Sequence, residues 1–314
     1  MAVMFHSAHF LLSSAIRGNS ASTGHAPQPM VAFMTRPADA TPVLITGCST
    51  GVGRATALAF SAAGYRTVAT ARRLEDIEDL RLRGCEALPL DVSDEAQRQE
   101  TVETVERLFG PVGVLVNNAA YPQYGPIEEI PLEKIRYTFE TNFTAYVRMA
   151  QLVIPGMRQA RAGRIVNVSS VAGRVGNIGS GIYHATKFAI EGMTESLRPE
   201  VRPFGIDVVN ILPGPIDTNF LRTILASIPD TGPQSPYATF KRRLADWARS
   251  FLRPGGFGVL TADEVANVIL RAATAERPRT RYSVGFIART GPIGRAMTPD
   301  RVVDAILGRS MSHW

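Results

Sequence analysis

The stretch Val43-Leu44-Ile45-Thr46-Gly47-Cys48-Ser49-Thr50-Gly51-Val52-Gly53 decides the fold. A short apolar run ends in Thr46-Gly47, and further glycines stand at 51 and 53. Ala55, Thr56, Leu58, Ala59 and Ala62 then make a helix of small residues that Gly64 closes. Strand, glycine-rich turn and helix N-terminus in that order suit a pyrophosphate. Glycine lets the backbone turn tightly and approach a ligand, and the first helical N–H groups have no partner within the helix. The spacing is T-G-x-x-x-G-x-G, neither GxGxxG nor the GxxxxGK[ST] of a phosphate loop. No lysine follows Gly53, which disfavours ATP hydrolysis. Taken alone, the stretch also reads as an ordinary turn.

Outward from it the chain alternates strands and helices. Arg66 to Thr70 reads as a second strand, Glu75 to Arg83 as a helix, and Ala87-Leu88-Pro89-Leu90 as a third strand. Asp94 follows Ser93 at a capped helix start, and that helix runs to about Phe109. Val112 to Val116 is a fourth strand ending at Asn117-Asn118, followed by a helix over 141–160. A fifth strand spans Arg164 to Ser169, a helix Ile182 to Val201, and a sixth strand Ile206 to Leu212. Ala262 to Ala273 is a late helix and Arg281 to Gly285 a seventh strand. The strands are near-continuously apolar, as when helices cover both faces of a parallel sheet. The expected fold is α/β, a single Rossmann-like doubly wound domain over 42–314 with a parallel sheet of about seven strands.

The 314 residues carry 34 Lys+Arg against 28 Asp+Glu, a formal net charge of +6. Hydrophobic residues make up 45% and charged ones 20%, which excludes a disordered chain. The positive excess is modest and spread out, with no zinc-finger spacing and no lysine-rich arm, so nucleic acid is not an expected partner. Cys48 and Cys85 cannot build a disulfide scaffold, which points to a reducing compartment, the cytoplasm. No stretch is long and apolar enough to be a transmembrane segment. No Cys/His cluster suggests a metal: His6, His9, His25 and His313 lie in the terminal segments, leaving only His184 inside.

Residues 1–41 stand apart. Val3, Met4, Phe5, Phe10, Leu11 and Leu12 precede Ser/Gly/Pro-rich sequence, Arg17 and Arg36 come after the apolar run, and Asp39 is the first acid. A secretory signal carries its positive charge ahead of that run, and a transit-like segment fits slightly better. A flexible extension, with a start at Met30 or Met34, is the preferred reading.

The end of the second strand separates two cofactors. An acid there holds the ribose 2′-OH of NAD, whereas an arginine accommodates the 2′-phosphate of NADP. The sequence is Ala69-Thr70-Ala71-Arg72-Arg73, with no acid until Glu75. Arg72 is the first choice for a phosphate, with Arg73 assisting or facing solvent, and NADP(H) is favoured with NAD(H) possible. Further along, Tyr183 and Lys187 lie four apart on one helical face. A neighbouring ammonium stabilises a phenolate and lowers its pKa, so Tyr183 can exchange a proton with a substrate oxygen. Ser169-Ser170, at the carboxyl end of the fifth strand, are placed to orient that oxygen. The Tyr/Lys pair alone also occurs on ordinary helices.

These motifs together resemble the short-chain dehydrogenase/reductase family. TGCSTGVG at 46–53, NNAA at 117–120, Ser170 ahead of Tyr183, and YHATK at 183–187 occur in order, with Pro213-Gly214 and PGPIDT after the sixth strand. The resemblance covers 42–220. The run from Pro203-Phe204-Gly205 to Phe220, with the glycine turn and the ATARR strand, looks most like the branch acting on steroids, retinoids and related lipophilic alcohols or ketones.

The resemblance implies roles. Ser170 would polarise the substrate oxygen, Tyr183 would be acid in reduction and base in oxidation, and Lys187 would lower the tyrosine pKa and bind the nicotinamide ribose. Asn142 would hold the water linking Lys187 to solvent. Gly47, Gly51, Val52 and Gly53 would carry the phosphate turn, with Ser49 joining Arg72 at the 2′-phosphate. Asp91 and Val92 would reach the adenine, and Asn117, Asn118 and Ala119 would line the cofactor. Pro213, Gly214, Ile216 and Thr218 would embrace the nicotinamide end. Pairing through helices at 141–160 and 182–201 would give a homodimer or homotetramer, with Leu197, Val201 and Phe204 at that interface or in the core. Ala120 stands where the family usually has glycine, and His184 where small residues are common; His184 reads as structural or substrate-lining.

The variable stretch is 219–260. Phe220, Leu221, Ile224, Leu225 and Ile228 repeat at helical spacing, Pro229 to Pro236 break it, and Tyr237, Phe240, Leu244 and Trp247 mark a second amphipathic piece. Such a segment either covers an apolar substrate or packs as two ordinary helices. Arg242, Arg243 and Arg249 suit an acidic substrate or solvent.

Overall fold

The computed structural model describes residues 41–311. The extension expected over 1–41 lies, Thr41 excepted, outside the described residues. Seven strands form one sheet: β1 (Pro42–Ile45), β2 (Arg66–Ala71), β3 (Cys85–Pro89), β4 (Val114–Asn117), β5 (Gly163–Val168), β6 (Ile206–Pro213) and β7 (Arg281–Val284). Their order is β3-β2-β1-β4-β5-β6-β7 and every pairing is parallel. The order reverses beside β1, between β2 and β4, so the crevice of the sheet opens at the carboxyl ends there.

Both faces of the sheet are covered, which is why its strands are largely apolar. Val43 and Ile45 of β1 point to one layer, packed with Phe60 of α1 (Gly51–Ala62) and with Val265 and Ile269 of α8 (Ala262–Thr274). Leu44 points to the other, with Val105 of α2 (Glu95–Phe109), Met149 and Val153 of α4 (Ala145–Ala160), and Val201 of α5 (Gly181–Val201). Each fully buried aliphatic or aromatic side chain contributes about 1.5–3 kcal/mol. Leu197 and Phe204, partly buried, pack against this second layer. Arg164, fully buried, donates to Ala272 O at 2.7 Å and Ala275 O at 3.0 Å, satisfying carbonyls at the end of α8, and pairs with Asp207.

The structure corrects several readings. Glu75 to Arg83 is not an α-helix but two 3₁₀ turns, Leu74–Asp76 and Glu78–Arg83. Ile77 and Leu80 alone there are fully buried, and Arg73–Asp76 and Arg54–Asp79 pairs brace the rest. The cap of α2 is Asp94, which accepts from Gln97 N, while Ser93 turns back to Asp91. The helix expected over 141–160 begins with a π-helical turn, Glu140–Thr144, after α3 (Leu132–Phe139). The 219–260 stretch forms α6 (Phe220–Ser227) and α7 (Ala238–Phe251). Three helices were not anticipated: α3, α9 (Phe286–Met297), which carries Pro292 inside it, and α10 (Asp300–Met311).

Candidate active site

One cleft of about 640 Å³ runs along the carboxyl ends of the strands. At one end lies the glycine turn. Gly47 and Gly51 have φ of 75° and 58°, which side chains rarely adopt. A Cβ on Gly47 would meet Ala119 Cα at 2.9 Å, and one on Gly51 would meet Thr218 Cγ2 at 3.1 Å. The turn is fastened from β4: Thr46 Oγ1 accepts from Asn118 N and Ala119 N, both at 3.0 Å, and Asn118 Nδ2 donates to Thr46 O and Gly47 O. Ser49, Val52, Asn118 and Ala119 line the cleft with the two glycines. Gly53 does not: a Cβ there would fall 2.2 Å from Gly47 O, so it serves the packing of α1 against the turn.

The ends of β2 and β3 supply Arg72, Asp91 and Val92. Arg73 donates from Nε to Asp76 Oδ2 at 3.1 Å and is turned away from the cleft. Among the described residues no hydrogen bond or ion pair holds Arg72, whose exposed guanidinium borders the cleft. The cradle of glycines, the N-terminus of α1 and this available cation fit a phosphate-bearing dinucleotide. Opposite, Gly214 N donates to Val284 O, Ile216 bridges to Leu260, and Thr218 Oγ1 accepts from Phe220 N; Pro213, Gly214, Ile216 and Thr218 all border the cleft.

Asn117 stands differently from its expected role. Its side chain faces into the sheet, where Asn117, Asn167 and Asn210 are in register across β4, β5 and β6. Asn117 Nδ2 donates to Asn167 Oδ1 at 3.0 Å, Asn167 Nδ2 to Thr194 Oγ1 at 3.0 Å, and Thr194 Oγ1 to Asn210 Oδ1 at 2.9 Å. Asn210 Nδ2 then reaches the buried Glu191. Asn142 is fully buried outside the cleft lining. Its Oδ1 accepts from Tyr121 N at 2.7 Å and its Nδ2 donates to Tyr121 O and Thr186 Oγ1. Both ends of the amide therefore have protein partners.

Beyond the turn the cleft gathers Ser170, Tyr183 and Lys187. Ser170 Oγ accepts from Ala172 N at 3.1 Å, which leaves its own hydrogen to donate. Burial pushes the Tyr183 phenol up, with Tyr124 adding to the rise and a hydrogen bond with Ser170 opposing it. Lys187 Nζ donates to Val168 O at 2.9 Å and lies 5.7 Å from the Tyr183 ring centre. Burial brings its ammonium down to about 7, with Glu191 one turn along acting against the fall. The expected lowering of Tyr183 by Lys187 does not set the net direction here: burial dominates and raises the phenol.

The far wall is largely apolar. Phe220, Ile224, Trp247 and Phe251, from α6 and α7, border it, while Phe240 and Leu244 pack beneath, so the 219–260 stretch packs as helices and presents apolar side chains to the cleft. Tyr124 and Phe220 lie with ring centres 6.2 and 5.9 Å from that of Tyr183. Arg242 bonds Thr239 and Arg249 pairs with Asp246 at the surface. Residues missed from the sequence are Tyr121, Tyr124 and Tyr137, with Ile287 of α9 and Val303 and Leu307 of α10. The i, i+4 spacing of Val303 and Leu307 was the available signal. Among the described residues no helix is long and apolar enough to cross a membrane.

The family model for short chain dehydrogenases matches residues 41–228. Retinol dehydrogenase 8 of Homo sapiens is 37% identical over 270 residues, 82% of this chain and 85% of that protein. The probable short-chain type dehydrogenase/reductase VdlC of Helicobacter pylori is 32% identical over 243 residues, 77% of this chain and 88% of that one. The crystal structure of a short-chain dehydrogenase from Streptomyces avermitilis, 32% identical, superposes with a TM-score of 0.71 over 86% of this chain and 96% of its own. The chain belongs to the short-chain dehydrogenase/reductase family of oxidoreductases.

Proposed function

We propose that the protein is an NADP(H)-dependent oxidoreductase exchanging a hydride between the nicotinamide and a carbonyl or alcohol carbon of a lipophilic substrate. One observation carries the reading: a single cleft joins the glycine turn and the available Arg72 guanidinium to Ser170, Tyr183 and Lys187. When bound, the dinucleotide supplies or accepts the hydride. Gly47, Gly51 and the N-terminus of α1 would hold its pyrophosphate, Ser49 and Arg72 a 2′-phosphate, and Asp91 and Val92 its adenine. The segment from Pro213 to Thr218, with Lys187, would hold the nicotinamide end.

In reduction the Ser170 hydroxyl donates a hydrogen bond to the substrate oxygen, and Tyr183 passes its phenolic proton to that oxygen; oxidation runs these steps backwards. Phe220, Ile224 and Trp247 exclude water from the reacting carbon. That wall, and the likeness to a retinol dehydrogenase, support an apolar substrate. Exposed Phe188 on α5 supports pairing of copies through α4 and α5 as a homodimer or homotetramer. Free, buried Cys48 and Cys85 fit a reducing cytoplasm. The test is a panel of decanal, all-trans-retinal and androstenedione with NADPH and NADH, followed by nicotinamide absorbance. Turnover with NADPH supports the reading, and absence of turnover with either cofactor overturns it.

A further inference from the structure

We propose that His184 is a positioning residue, clamping the turn after β5 against α5 and so aiming the Ser170 hydroxyl. The inference rests on the activity proposed above. Ser170 opens a 3₁₀ turn, Val171–Gly173, and its hydroxyl is held by that turn as well as by Tyr183: Oγ accepts from Ala172 N, and Gly173 N donates to Ser170 O at 2.9 Å. Where the turn moves, the serine hydrogen moves with it.

Two contacts press this turn onto α5. Gly173 lies so close that a Cβ would sit 2.8 Å from Lys187 O and 3.0 Å from Glu191 Cγ. One helical turn earlier, the ring of His184 bonds through Nδ1 to the carbonyl of Val175, whose own N–H bonds back to Val171 O. Burial lowers the His184 pKa against hydrogen bonds with the backbone at Val175 and Ala172, and a neutral ring bonded to the Val175 carbonyl donates from Nδ1. The ring also meets Tyr183 edge-on, with centres 6.2 Å apart and planes at 88°. His184 therefore touches the turn that carries the serine and the tyrosine that faces it. With Nδ1 committed to a backbone carbonyl, it acts through Ser170.

The experiment uses the full chain, NADPH and whichever member of the carbonyl panel is reduced fastest. His184→Asn keeps an N–H where Nδ1 stands, His184→Gln carries its amide one bond further, and His184→Ala has none. Ala and Gln are expected to lose roughly tenfold to a hundredfold in kcat, as displaced reacting groups do. Asn should restore kcat, and NADPH affinity, read by nicotinamide fluorescence, should be unchanged in all three. A kcat for His184→Ala equal to that of the unaltered protein overturns the inference, as do equal losses in Asn and Gln. The Asn and Gln comparison decides the matter should Ala not fold. No turnover by the unaltered protein overturns the activity itself, whereas turnover insensitive to position 184 removes only this role.

Discussion

Lys187 Nζ donates to the Val168 carbonyl at 2.9 Å and stands 5.7 Å from the centre of the Tyr183 ring. Both groups are buried, which favours the neutral form of each. Near neutral pH the tyrosine keeps its proton, the form that the proposed acid role in reduction requires.

That burial has a consequence for stability. The folded lysine titrates at about 7 against an ordinary value of 10.5. Between these values the unfolded chain binds a proton that the folded one does not, so stability rises with pH across the window. Below about 7 both states are charged and the full cost is present. The unaltered protein should therefore gain on Lys187→Met by up to about 1.4 kcal/mol per pH unit between pH 7 and 10. Chemical denaturation of both at a series of pH values reads this, and a difference independent of pH contradicts it.

Arg72 and Arg73 are adjacent but differently engaged. Arg73 is tied to Asp76, whereas Arg72 borders the cleft without a partner among the described residues. Arg72→Ala is expected to weaken NADPH binding roughly tenfold or more, as loss of a charge-assisted phosphate contact does, and to leave NADH binding unchanged. Arg73→Ala should alter neither. Fluorescence titration separates the cases, and equal effects of the two substitutions would count against the assignment.

Asn117 belongs to the polar ladder inside the sheet rather than to the cleft. Asn117→Ala leaves Asn167 Oδ1 without its donor in a buried place, a cost of about 1–3 kcal/mol. Thermal unfolding should show that loss while NADPH affinity, measured well below the transition, stays as it was. Weakened NADPH binding with unchanged stability is the contrary outcome.

Gly53 has no space for a side chain, its Cβ position lying 2.2 Å from Gly47 O. Gly53→Ala must push α1 off the turn, which is expected to cost about 3 kcal/mol. Denaturant titration checks this; an unaffected midpoint contradicts it.

What was legible in the sequence depended on how local the cause was. The glycines at 47 and 51 could be read because positive φ and close backbone approach admit little else. Tyr183 and Lys187 could be read because four residues on a helix mean one face. The direction of Asn117 could not, since it depends on Asn167 and Asn210 arriving in register on two other strands. Nor could the raised Tyr183 and the lowered Lys187, which come from burial rather than spacing. Helix α9 gives no plain helical signal in the sequence, since it carries Gly291, Pro292 and Gly294, yet Pro292 is accommodated within it.

The most direct measurement is reduction of the best carbonyl in the panel by NADPH, comparing the unaltered protein with Tyr183→Phe at equal cofactor saturation. The phenylalanine keeps the ring among Tyr124, His184 and Phe220 and removes only the transferable proton. The expected result is a fall in kcat of roughly 10²–10⁴-fold with NADPH affinity unchanged. Full turnover by Tyr183→Phe would contradict the proposed chemistry.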